Sequence, residues 1–79
     1  MKAKSLNEII AEIIVLIGTN GMPSGEIYAR MMADINLDTW NAILQHGKEK
    51  GIFNESMHFV TLTDNGIVMY NKLVEILTK

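Results

Sequence analysis

The chain has no cysteine, so neither a disulfide nor a thiolate metal site can reinforce it. Proline occurs once, at Pro23, and arginine once, at Arg30. The two histidines, His46 and His58, stand alone with no second ligand at metal spacing. The formal charge is −2, which argues against a strongly basic nucleic-acid module; binding nevertheless depends on where charges sit as well as on their sum. No apolar run approaches the roughly 20 residues of a membrane span. The apolar run Ile13–Ile17 follows charged and polar residues at helical spacing, and no small-residue cleavage pattern follows it. No signal peptide is expected from that pattern. Internal repeats, low-complexity tracts and long linkers are lacking too. These absences lead us to expect a soluble, cytoplasmic protein with no metal, no cofactor and no membrane partner.

What is present suffices for one small core. Of 79 residues, 48% are apolar, and a chain of this length is expected to form a single domain over 1–79. Such a domain buries only about 60–65% of its unfolded surface, so its stability margin is small.

Met1 to Lys4 reads as a short basic lead that frays. Ser5 and Glu8 have capping-box spacing. Leu6, Ile9, Ile10, Ile13, Ile14, Leu16 and Ile17 follow at helical spacing, and Gly18 with Asn20-Gly21 stops that helix. Val15 falls off the apolar face, either as a partly exposed valine or as a contact to a second subunit. Met22-Pro23 is an extended joint, because the residue before proline avoids the helical region. Ser24 is expected to cap a second helix, with Glu26 in its first turn and Ile27, Tyr28, Met31 and Met32 on its apolar face. Residues 34–38 form a turn, with Ile35 and Leu37 pointing inward.

A third helix starts at Leu37 or Asp38, with Asp38 the better cap by chemistry, and ends at Gly51. Trp40, Ile43, Leu44 and Gly47 share its inner face. Asp38, Asn41, Ala42, Gln45, His46 and Glu49 share the outer one. Ile52-Phe53 begins a strand, Asn54-Glu55-Ser56 is the turn region, and Met57 to Leu62 returns with Val60 and Leu62 inward and Phe59 and Thr61 outward. Thr63 caps the last helix. Gly66, Ile67, Tyr70, Leu73, Val74 and Leu77 face its core side. Val68, Met69, Lys72 and Ile76 lie away from the core, and this second apolar line makes a homodimer through the last helix an expectation. Scattered exposed apolar residues are the plain alternative.

The order helix, helix, helix, two-stranded ribbon, helix predicts an α+β, mainly α, architecture. The segments S-G-E-I-Y-A-R-M-M at 24–32, G-I-F at 51–53 and H-F-V-T-L-T-D-N-G at 58–66 resemble the winged helix-turn-helix superfamily of small bacterial, archaeal and phage regulators. Some members place a short first strand where Met22-Pro23 stands. No subfamily is singled out. The resemblance implies DNA binding, with the third helix in the major groove and the wing beside it. Carried over by position, the base-reading candidates are Thr39, Asn41, Ala42, Gln45 and His46, and the phosphate candidates are Arg30, Lys48 and Lys50. Departures from the pattern count against tight binding. Asp38 and Glu49 on the outer face repel phosphate, and Glu55 stands in the wing turn where such wings usually carry a base. The expected partner is therefore double-stranded DNA, bound weakly by the monomer, and the alternative is a protein-docking module without DNA binding.

Catalysis finds no support. The carboxylates are spread over helix surfaces, and Ser56 and His58 read as a solvent-facing or edge pair. The glycines match no phosphate-cradling pattern. His46 reads as a solvated helix residue with base or phosphate contact as the sharper alternative, His58 as a cover beside the wing, and Trp40 as core. The methionines give an adaptable interior or interface.

Overall fold

The first helix begins where Ser5 can close both ends of a capping box. In the computed structural model, which describes residues 5–77, the Ser5 hydroxyl accepts from the Glu8 amide at 3.2 Å and the Glu8 carboxylate accepts from the Ser5 amide at 3.3 Å. Helix α1 (Leu6–Ile17) follows. Its β-branched run is held by packing: Ile9, Ile13, Ile14 and Ile17 are buried in the core, while Val15 is half-buried. Gly18 ends the helix at φ 58, a left-handed value that suits glycine. The basic lead Met1–Lys4 lies outside the described residues.

The chain then runs through β1 (Met22–Pro23), α2 (Ser24–Met31), α3 (Leu37–Glu49), β2 (Phe53–Ser56), β3 (Phe59–Leu62) and α4 (Asp64–Leu77). The three strands form an antiparallel sheet in the order β1-β3-β2. Four helices around a small sheet, with a hairpin after the third helix, make the winged helix-turn-helix fold. One core joins Ile13, Ile14 and Ile17 of α1 to Ile27 and Met31 of α2, Trp40, Ile43 and Leu44 of α3, Phe53 of β2 and Val60 of β3.

Several local expectations need correction. Ser24 does not cap α2. Its amide donates to the His58 carbonyl at 2.7 Å, so sheet bonding runs up to the residue where the helix begins, and Pro23 takes the cap position without a side-chain bond. Asp38 does not cap α3 either. Asn36, in extended conformation, accepts from the Thr39 amide at 2.8 Å, and Asp38 falls inside the first turn. Leu37 is therefore the first helical residue, and it is 52% exposed instead of pointing inward. Leu6, Met32 and Leu77, each at an end of its helix or just past it, are exposed as well.

The wing turn also moves. Residues 54–56 belong to β2, and the turn is Met57-His58. The register pairs Phe53 with Leu62, Glu55 with Val60 and Ser56 with Phe59. Paired residues share a face of an antiparallel sheet, so this register puts buried Phe53 and Val60 on one side and exposed Asn54, Ser56 and Phe59 on the other. A slip by one would send one of the two buried side chains to solvent. The cost lies in the turn: Met57 and His58 have φ of 50 and 65, the pair of left-handed residues that a two-residue hairpin loop demands and that Asn-Gly normally supplies. His58 consequently projects outward, 92% exposed at its side chain, and does not cover the core.

Thr63 caps α4 as expected. Its hydroxyl accepts from the Gly66 amide at 3.1 Å and donates to the Gly51 carbonyl, with the Ile52 carbonyl also near. The start of the wing and the start of the last helix are thereby tied at one side chain. Gly47 provides the other junction. A Cβ at this position would fall within the envelope of the Phe53 ring, so the absence of a side chain on α3 is what lets β2 lie against it.

Candidate nucleic-acid interface

Helix α3 is oriented by its inner face. Trp40, Ile43, Leu44 and Gly47 are all buried, which fixes the rotation of the rod and turns Asn41, Ala42, Gln45 and His46 outward. All four are exposed, and Thr39 is half-buried. Asn41 and Gln45 stand one turn apart, as do Ala42 and His46. Thr39, Ala42 and His46, with Asp38 and Ile43, form one wall of a largely apolar groove of about 560 Å³ whose opposite wall is Leu6 and Ile10 of α1. Asn41 and Gln45 do not line that groove. Gln45 donates weakly to Glu49 at 3.4 Å, an exposed contact that water or a base edge can replace.

The cations are more engaged than their number suggests. Arg30 lies 3.6 Å from Glu26, one turn earlier on α2, with both side chains at least half exposed; a pair of this kind contributes ~0–1 kcal/mol and exchanges readily. Lys48 makes a closer pair, its Nζ 2.5 Å from Glu55 Oε1. The geometry follows from strand parity. Glu55 shares the inward side with Phe53, and Phe53 sits under Gly47, so Glu55 meets the next residue of α3. It is only 18% exposed at its side chain, and its other oxygen lies 3.9 Å from His58 Nδ1. Lys50 is exposed, and no carboxylate pairs with it among the described residues.

The wing tip, Met57-His58, carries no lysine or arginine. Met57 is 94% exposed and Phe59 partly so. Neither the groove beside α3 nor the Lys48–Glu55 pair is evident from helical periodicity. The pair has a sequence signal all the same: Glu55 has the same parity as Phe53, and a two-residue turn brings both to the α3 side.

On α4, Val68, Met69, Lys72 and Ile76 are exposed. Met69 and Lys72 border an apolar groove of about 330 Å³ against Ile10, Ala11 and Ile14 of α1. Ile76 borders a second groove with Leu77, Val15 and Ala11. Leu73 lines both, and Val68 lines neither. Among the described residues no group of three His, Asp or Glu is placed to hold a metal ion, and no helix is long and apolar enough to cross a membrane. Ser56 ends β2 opposite Phe59, while His58 approaches Glu55.

The fold is shared with a protein of known structure. A MarR family protein of Mycobacterium tuberculosis superposes with a TM-score of 0.64 over 95% of this chain, at 19% identity. The match takes in 55% of that protein, so this chain spans about half its length. At that identity the likeness is one of fold. No protein-family model and no curated protein matches the sequence.

Proposed function

We propose that this chain is a DNA-binding winged-helix module of a transcriptional or phage-type regulator, with α3 entering the major groove. One observation carries the reading: a helix locked by its buried tryptophan face presents two uncovered amides, Asn41 and Gln45, at the position that reads bases in this fold. Asparagine and glutamine offer the donor–acceptor pair that matches an adenine edge, and Ala42 beside them suits a thymine methyl. Thr39 and His46 flank that row. Arg30, Lys48 and Lys50 meet the phosphates. Three cations give a weak monomer, and pairing through α4, at Val68, Met69, Lys72 and Ile76, doubles the number of contacts.

Fluorescence anisotropy on duplex DNA tests the proposal. Neutralising two or three phosphates per monomer predicts that log K falls with log salt at a slope of about −2 to −3. Absence of binding to any duplex at micromolar protein and low salt refutes it. Sedimentation of the wild type and of Met69→Lys tests the dimer. A wild-type monomer at high concentration removes it.

A second reading, a protein-docking module, has its own support. Two of the three cations already face carboxylates of this chain, and the wing tip carries an exposed methionine and no lysine or arginine. Under that reading Asn41→Ala with Gln45→Ala alters partner capture and leaves any residual DNA affinity indifferent to sequence.

A further inference from the structure

The pair between Lys48 and Glu55 is unlike the pair between Arg30 and Glu26. Arg30 and Glu26 belong to one helix, are both well exposed and sit 3.6 Å apart. Lys48 and Glu55 come from different elements, α3 and the wing, and their charged atoms are 2.5 Å apart with Glu55 largely covered. The carboxylate presents to Lys48 what a phosphate would present, an anionic oxygen at contact distance. Its position is enforced: the register that buries Phe53 and Val60 turns Glu55 toward α3, and it has no outward alternative without unpairing the strand.

We propose that Glu55 is an intramolecular competitor for phosphate at Lys48, and so the residue that sets how strongly this module holds a nucleic-acid backbone. Lys48 is then an exchange site. In the free protein it is neutralised by the wing; on DNA it stays on Glu55 unless a phosphate oxygen displaces the carboxylate, which then remains close to the duplex. Both effects lower affinity for every duplex alike and leave discrimination between sequences to Asn41 and Gln45. This rests on the DNA-binding reading above and adds to it a residue of opposite charge.

The experiment compares wild type, Glu55→Gln, Lys48→Met and the double variant on a random-sequence duplex, by anisotropy across a salt series. Freeing one cation adds about one phosphate contact, which steepens the slope of log K against log salt by ~0.9. From the same relation, affinity at 0.1 M salt rises about eightfold, and the gain fades toward 1 M. In the Lys48→Met background the Glu55 substitution has no such effect. Circular dichroism establishes that each variant is folded. Should Glu55→Gln fail to fold, Glu55→Thr, a good strand former, carries the same test.

A binding wild type whose slope and affinity do not change in Glu55→Gln overturns the competitor role and leaves DNA binding standing. A gain that persists without Lys48 also overturns it, because removing any negative charge then suffices. If neither wild type nor Glu55→Gln binds, both this inference and the DNA reading fall. A gain in Glu55→Gln that vanishes in the Lys48→Met background supports it.

Discussion

Substituting alanine for glycine at two helical positions should change stability in opposite directions. Gly25, in the first turn of α2, is exposed, and a Cβ there meets nothing within 4 Å. Gly25→Ala should therefore gain helix propensity alone, about 0.5–1 kcal/mol. At Gly47 the same gain is opposed by Phe53, whose ring is 2% exposed and occupies the space of the new methyl. Phenylalanine buries on the order of 150–250 Å². Displacing half of that at about 25 cal/mol per Å² costs roughly 2–3 kcal/mol. The net expectation for Gly47→Ala is a loss of about 1–2 kcal/mol, and the two variants should differ by about 2–3 kcal/mol. Urea unfolding measures this directly. In a domain of this size each kcal/mol corresponds to about 4–8 °C in Tm, so a thermal scan resolves it too. If Gly47→Ala matches or exceeds the wild type in stability, the close seating of the wing on α3 is wrong.

Other expectations are smaller or local. Thr63→Ala removes a helix cap and the tie to Gly51, and should cost about 1–2 kcal/mol in urea unfolding, with Thr63→Ser recovering most of it; equal losses in the two would shift the weight to the methyl group. Met57→Asn with His58→Gly supplies the residues a two-residue hairpin prefers, and should raise stability by about 1 kcal/mol or more by relieving left-handed backbone in side-chain-bearing residues; a loss would show that these side chains hold the turn. Asn41→Ala with Gln45→Ala should flatten the preference for a selected operator over random duplex by about 1–3 kcal/mol per bidentate contact, read by competition binding, while unfolding stays unchanged because both residues are exposed. An undiminished preference would move base reading elsewhere on the molecule.

The elements were legible where one physical signal dominated. The capping box at Ser5, the tryptophan face of α3 and the Thr63 cap each follow from spacing alone, and all three appear as expected. Errors gathered where two neighbours could do the same job. Asn36 and Asp38 are both good caps, and the choice between them was decided by which residue the preceding turn leaves extended. Ser24 lost its cap role to a sheet bond that arrives from 34 residues later, which no local window contains. Asn54 and Ser56 look like turn residues and point to an earlier wing turn, whereas burial of Phe53 and Val60 on one face fixes the hairpin and forces Met57 and His58 into the loop. For the candidate interface, exposure of Asn41 and Gln45 was readable from the helical period. The engagement of Lys48 by Glu55 was not, because it depends on that same hairpin register.

The two-residue strand β1 pairs only with β3, through Met22 with Val60 and Pro23 with Phe59. The joint between the first two helices is thus clamped by residues made nearly forty positions later. During synthesis on the ribosome the first three helices emerge before the strand that clamps this joint. Loop closure over that span must precede the contacts that reward it, so completion of the fold is expected to be late and concerted. A nascent chain stalled before residue 59 would lack the sheet clamp on that joint.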